Sequence, residues 1–281
     1  MKKFIITALL FLTSINIAQT ESQEPVVFEQ ITIKDTELQF LYSTAVEDTF
    51  YLYIKLPKGY GESDKRYPIL YLLDGDIAFP MASSIVRYLQ YGSHVPDIII
   101  VGIGYGSMMN DNEVNYRSRD YNPPETERRG LKGEGDEYLS FLKNELLPYF
   151  DKNYRTIASD RTISGHSLSG QFAIYALLNE PQLFNRYIAS SPHMIRSIDS
   201  FLEKEEMMSP VLKNIDANLF ISQGEDEPDS LYAKPINKLL SSLKESNYKG
   251  LKIKHKIFNE GSHFVCPPEA MSYGLKFVFE K

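Results

Sequence analysis

Tryptophan is absent from this 281-residue chain, and cysteine occurs once, at Cys266. One cysteine excludes an intrachain disulfide, and its position far from the N-terminus excludes a lipobox thiol for an acyl anchor. No His-x-x-x-His or Cys-x-x-Cys spacing supports zinc, and no glycine-rich phosphate loop or dinucleotide fingerprint is present. No metal or cofactor is therefore expected. Positive charge is also scarce. Thirty Lys and Arg against 37 Asp and Glu give a formal net charge of −7. An acidic chain argues against nucleic acid and anionic membrane surfaces as partners. Internal repeats and low-complexity runs are missing too. A chain of this length with a 43% hydrophobic fraction is instead read as one globular α/β domain.

The longest apolar run, Phe4 to Ala18, follows Met1-Lys2-Lys3. It is short for a membrane span, and two lysines before an apolar core predict a secretory signal peptide over 1–18. The mature domain would be 19–281, without stable membrane insertion after cleavage. Cleavage would remove two lysines and move the net charge from −7 to −9. Export without disulfides suits a bacterial envelope, so a periplasmic or secreted location is expected.

Val26 to Phe28, Leu38 to Tyr42 and Phe50 to Ile54 read as antiparallel edge strands. Ile69 to Leu73 and Ile98 to Val101 are continuous apolar runs, which fit central strands buried on both faces. Helical stretches are expected near 79–91, 136–149, 171–180, 231–244 and 268–279. Strands alternating with helices predict a mostly parallel, doubly wound sheet with helices on both faces. Residues 105–135 show no period and are rich in Gly, Asn, Arg and Pro. A long loop after an apolar strand emerges at the carboxyl edge of the sheet, where open α/β sheets bind ligands.

The densest chemical signal is Gly165-His166-Ser167-Leu168-Ser169-Gly170, between a β-prone run at 161–164 and an amphipathic stretch at 171–178. Strand, Gly-X-Ser-X-small, then helix is the context of a nucleophile elbow, in which Ser167 would stand exposed on a sharp turn. The side chain of His166 is expected to point away from the nucleophile. A serine needs a base, and the base needs an acid to orient it, in the chain order Ser, acid, His for this architecture. After the strand-like Leu219 to Ser222 comes Gly224-Glu225-Asp226-Glu227-Pro228. Glu227 is the preferred acid, ahead of Asp226 and then Glu225. His263, in the turn after the alternating run 251–258, is the expected base, in preference to His94, His166 and His255. His193, after Ser191-Pro192, is a candidate pocket residue. The backbone N–H groups of Leu168 and Asp76 are the expected oxyanion donors, with Gly75 allowing close approach. The side chains of Asp74 and Asp76 must then point away or be paired with cations. Arg117 could form a cationic lip for an anionic or catecholate-bearing acyl group or could be structural. Arg119 reads as structural, paired with Asp120, and Arg128 and Arg129 as a solvated turn.

Taken in order, Leu70 to Asp76, Val101 to Tyr105, Arg117 to Pro123, Gly165 to Gly170, Ser191-Pro192 and Gly261 to His263 resemble the Putative esterase family of α/β-hydrolases over roughly 30–280. The likeness is strongest to its siderophore-esterase-like branch, related to feruloyl esterases and S-formylglutathione hydrolases. The resemblance implies a serine carboxylic-ester hydrolase with Ser167 as nucleophile, His263 as base and an acid after Gly224. A catecholate siderophore ester is the first substrate expectation. Acetyl or feruloyl esters linked to polysaccharide, acyl transfer, and a non-catalytic binder on the same scaffold are the alternatives. Two departures stand out: His193-Met194 replaces the aromatic residues often found after the Ser-Pro segment, and Ser169 stands where glycine is commoner.

Overall fold

The computed structural model describes residues 32–107, 116–128 and 130–280. The expected signal peptide and the strand expected at 26–28 lie outside them. In chain order the elements begin with β1 (Thr36–Ser43), β2 (Asp48–Lys55), β3 (Tyr67–Leu72), α1 (Gly75–Tyr91) and β4 (Ile99–Gly104). The segment after β4 contains one helical turn, α2 (Arg117–Asp120), and a minimal hairpin of β5 (Glu127–Arg128) and β6 (Leu131–Lys132). Next come α3 (Gly135–Phe141) and α4 (Leu147–Asn153), joined by a π-type stretch at Leu142–Leu146. The chain then alternates: β7 (Thr156–His166), α5 (Leu168–Asn179), β8 (Arg186–Ser190), α6 (Ile198–Leu212), β9 (Ala217–Gly224), α7 (Ala233–Ser246), β10 (Leu251–Phe258) and α8 (Pro267–Val278).

Eight strands form one sheet in the order β1-β2-β4-β3-β7-β8-β9-β10. The β1–β2 and β2–β4 pairs are antiparallel, and the pairs from β4 through to β10 are parallel. Period-two alternation decides which face each residue serves. In β3, Ile69 and Tyr71 join the larger core with α5, α6 and α7, whereas Leu70 and Leu72 join the core under α1 and α8. Both faces are thus covered, which is why the central strands read as unbroken apolar runs. This is the α/β-hydrolase architecture.

One helix escaped the sequence pattern. On α6 the buried positions include Ile198, Phe201, Leu212 and a carboxylate, Glu205, and the helix contains Pro210. Glu205 is buried because Ser242, Ser246 and Tyr248 all donate hydroxyl hydrogen bonds to it. A charged residue in an apolar register hides the helical period, although the hydroxyl donors satisfy it once folded.

Candidate active site

Parallel order brings the carboxyl ends of β3, β4, β7, β8 and β9 together, and the expected chemical residues cluster there. Ser167 sits between β7 and α5 with φ 62° and ψ −118°, a backbone conformation disfavoured for any residue with a Cβ. Three bonds hold it. Its N–H donates to Ser190 O at 2.9 Å, and its carbonyl accepts from the N–H of Gln171 at 2.9 Å and of His193 at 3.1 Å. Gly165 makes the turn possible, since a Cβ there would lie 2.3 Å from the Ser169 carbonyl. Gly75 does the same for α1, where a Cβ would meet the Gly102 backbone at 2.5 Å.

Of the three acids after Gly224, Glu225 and Asp226 are exposed, whereas Glu227 is 4% exposed. Glu227 Oε1 lies 2.5 Å from His263 Nδ1. Its Oε2 accepts from the Ser191 hydroxyl at 2.9 Å and the Gly224 N–H at 2.8 Å. Burial alone would raise this carboxyl, but the His263 ring, the Gly224 N–H and the Ser191 hydroxyl hold it below its usual value. The glycine-to-acid spacing thus lets a buried carboxylate fold back on the end of its own strand. On the other side of the imidazole, Nε2 is 3.5 Å from the Tyr232 hydroxyl. Among the described residues, the Ser167 hydroxyl makes no hydrogen bond. Such contacts are commonly long before substrate closes the site.

The oxyanion expectation rests on two helix starts. Leu168 is the first residue of α5 and Asp76 the second of α1, both in turns whose N–H groups have no intrahelical acceptor. The two neighbouring acids are compensated in different ways. The Asp76 carboxylate turns back and accepts from the N–H groups of Tyr105 at 2.7 Å and Gly106 at 3.0 Å and from the Tyr53 hydroxyl at 2.7 Å. Asp74 is bound bidentately by Arg117, through Nε at 2.5 Å and Nη2 at 2.9 Å. Asp74 also accepts the Ser169 hydroxyl at 2.6 Å, and that hydroxyl in turn accepts the His166 N–H at 2.8 Å. Serine in place of the commoner glycine therefore ties the elbow to the end of β3. Arg117 lines the cavity while holding this tie. Arg119 pairs with Asp120 at 2.6 Å and Asp48 at 3.1 Å. His193 lines the same cavity, its ring edge-on to Tyr232 at 5.9 Å.

His166 departs from expectation. Its ring does not turn away but lines the cavity, 4.5 Å from the His263 ring, with Nδ1 3.0 Å from Ser190 Oγ. The strand-end geometry that exposes Ser167 leaves His166 between β8 and the turn carrying the base. Burial, and then the neighbouring His263, push this imidazole down from 6.5 to about 3. In the unfolded chain it titrates near its ordinary value, so the unfolded state binds one more proton between those limits. Stability must then fall as pH drops through about 6.5 towards 3, by up to about 1.4 kcal/mol per pH unit. His166→Asn is expected to flatten the dependence of the urea midpoint on pH between 6 and 4. An unchanged slope would show that His166 is not the group responsible.

The cavity over Ser167 has a volume of about 860 Å³, and Tyr105, Ser107 and Arg117 from the segment after β4 contribute to its wall. Among the described residues, no group of three or more His, Cys, Asp or Glu is arranged to hold a metal ion. No helix among them is long and apolar enough to cross a membrane.

The family described as Putative esterase matches residues 43–264. Ferri-bacillibactin esterase BesA of Bacillus subtilis (strain 168) is 26% identical over 264 residues, covering 88% of this chain and 90% of that protein. The crystal structure of the BES protein from Bacillus cereus matches with a TM-score of 0.81 at 27% identity, covering 91% of this chain and 99% of that one. An IroE-like serine hydrolase from Shewanella oneidensis matches with a TM-score of 0.73 at 26% identity, covering 87% and 80%. The chain belongs to the Putative esterase family and is a carboxylic ester hydrolase of the α/β-hydrolase fold.

Proposed function

We propose that the enzyme is exported and cleaves a siderophore ester through a Ser167–His263–Glu227 triad and an acyl-enzyme. The observation that carries the reading is the buried Glu227 carboxylate 2.5 Å from His263 Nδ1, in a cavity that Ser167 also lines. Glu227 fixes the imidazole with Nδ1 protonated, leaving Nε2 to take the Ser167 proton as Oγ attacks the ester carbonyl. The N–H groups of Leu168 and Asp76 hold the oxyanion. His263 returns the proton to the leaving alcohol and then activates water to release the acid. Arg117, its charge balanced by Asp74, and His193 supply polar contacts to the substrate. The siderophore assignment draws on BesA, a ferri-bacillibactin esterase by name. The export assignment draws on the basic and apolar composition of residues 1–18.

Labelling by a fluorophosphonate, followed by assay on catecholate trilactone, acetyl and feruloyl esters, tests the reading. Stoichiometric labelling of Ser167 with highest kcat/KM on the trilactone is expected, from protein whose native N-terminus is Gln19. Labelling with preference for polysaccharide-linked acetyl or feruloyl esters would replace the substrate, and absence of labelling would overturn the mechanism.

A further inference from the structure

Two residues beside the reacting centre are apolar and almost fully in solvent. Phe264, immediately after His263, is 88% exposed, and Ile77, one residue past Asp76, is 79% exposed. Both line the cavity over Ser167. Single exposed apolar side chains need no explanation, but these two share the lining of one cavity, where a bound substrate would meet them. Met81, Pro267 and Met271 add apolar surface to the same cavity. The Phe264 ring stands edge-on to His263 at 5.1 Å, which places it next to the base.

The lining offers little uncompensated positive charge. Among the described lining residues Arg117 is the only lysine or arginine, and its guanidinium is bound bidentately to Asp74. A cavity of about 860 Å³ is also far larger than an acetyl group fills, and is of the size that encloses a drug-sized ligand. Size, apolar lining residues and paired charge together favour a flat apolar group attached near the scissile ester.

We propose that Ile77 and Phe264 form an apolar clamp for an aromatic ring carried by the substrate, and so set the preference for aryl-bearing over small-acyl esters. The inference rests on the esterase reading above and goes beyond it in naming the residues that select the substrate. Ring contact forms on binding and persists in the transition state, so its loss belongs in KM rather than in kcat.

The test uses two esters with the same scissile bond and alcohol, N-(2,3-dihydroxybenzoyl)-L-serine methyl ester and N-acetyl-L-serine methyl ester. Ile77→Ala and Phe264→Ala are each expected to lower the aryl-to-acetyl ratio of kcat/KM by about five- to tenfold, the effect of removing roughly 40–60 Å² of apolar contact. The loss should appear as a higher KM for the aryl ester, with melting temperatures unaffected because both side chains are exposed. A wild-type enzyme that hydrolyses both esters while neither variant moves the ratio would overturn the clamp and leave the esterase reading standing. If Phe264→Ala lowers kcat equally on both esters and Ile77→Ala does nothing, Phe264 only steadies His263 and the clamp is likewise overturned. A wild-type enzyme that hydrolyses neither ester and resists the fluorophosphonate would remove the esterase reading and the clamp with it.

Discussion

Ser167→Ala is expected to lower kcat by about 10⁴-fold or more on any ester the enzyme turns over well, with the fold intact. The size of the effect follows from the unit character of a triad: without the nucleophile, base and acid have nothing to activate except water. Stability should barely change, because the Ser167 hydroxyl makes no hydrogen bond among the described residues and alanine inherits the same backbone strain. That strain supplies a second, opposite forecast. At φ 62° and ψ −118°, a residue without Cβ is relaxed. Ser167→Gly should therefore be as inactive as the alanine variant yet more stable, by about 1 kcal/mol or more. Initial rates and thermal melts on the two variants check both halves. More than a tenth of wild-type kcat in Ser167→Ala would sink the mechanism, and a glycine variant no more stable than alanine would show that the elbow stores no strain.

Local chemistry made the elbow legible. A glycine that must tolerate 2.3 Å contacts, a serine at a strand end and an amphipathic run after it are all short-range signals. The sheet was legible because period-two apolar runs such as Ile69 to Leu73 divide between two cores. What stayed hidden was long-range or too short for a period. The tie from Arg117 through Asp74 to Ser169 joins residues 43 and 95 positions apart, and no spacing rule connects them. Within 105–135, the four-residue α2 and the two-residue strands of the hairpin cannot display a repeat. His166 was misread because its orientation is decided by β8 and by the turn carrying His263, not by its own neighbours. Tyr232, whose hydroxyl approaches the base, lies just before α7 with nothing in its local sequence to distinguish it from a core aromatic.

Glu227→Gln is expected to cost about 10³- to 10⁴-fold in kcat with little change in KM. The variant keeps the shape and can still accept from Ser191 and Gly224, so the fold has no reason to fail. The face towards His263 is what changes. A carboxylate only accepts, so it selects the tautomer with Nδ1 protonated and leaves Nε2 as the base. An amide turned to accept from Ser191 and Gly224 presents its NH₂ to Nδ1, selecting the tautomer in which Nε2 carries the proton and cannot take one from Ser167. The loss of negative charge also removes the group that steadies the imidazolium. Asp226→Asn and Glu225→Gln test the assignment from the other side. Both acids are exposed, and their backbones already bond to Gly261 and Phe258, so their variants should stay within about twofold of wild type. The acid response separates the roles further. The Glu227 carboxyl is held below its usual value when folded, so it stabilises the protein above the ordinary carboxyl range and that contribution is lost as pH falls through the folded value. Glu227→Gln should therefore lose part of the acid-induced drop in stability below about pH 4.5, a range below most of the His166 effect. Equal losses of kcat in all three variants, or a larger loss in Asp226→Asn, would show that another acid orients His263.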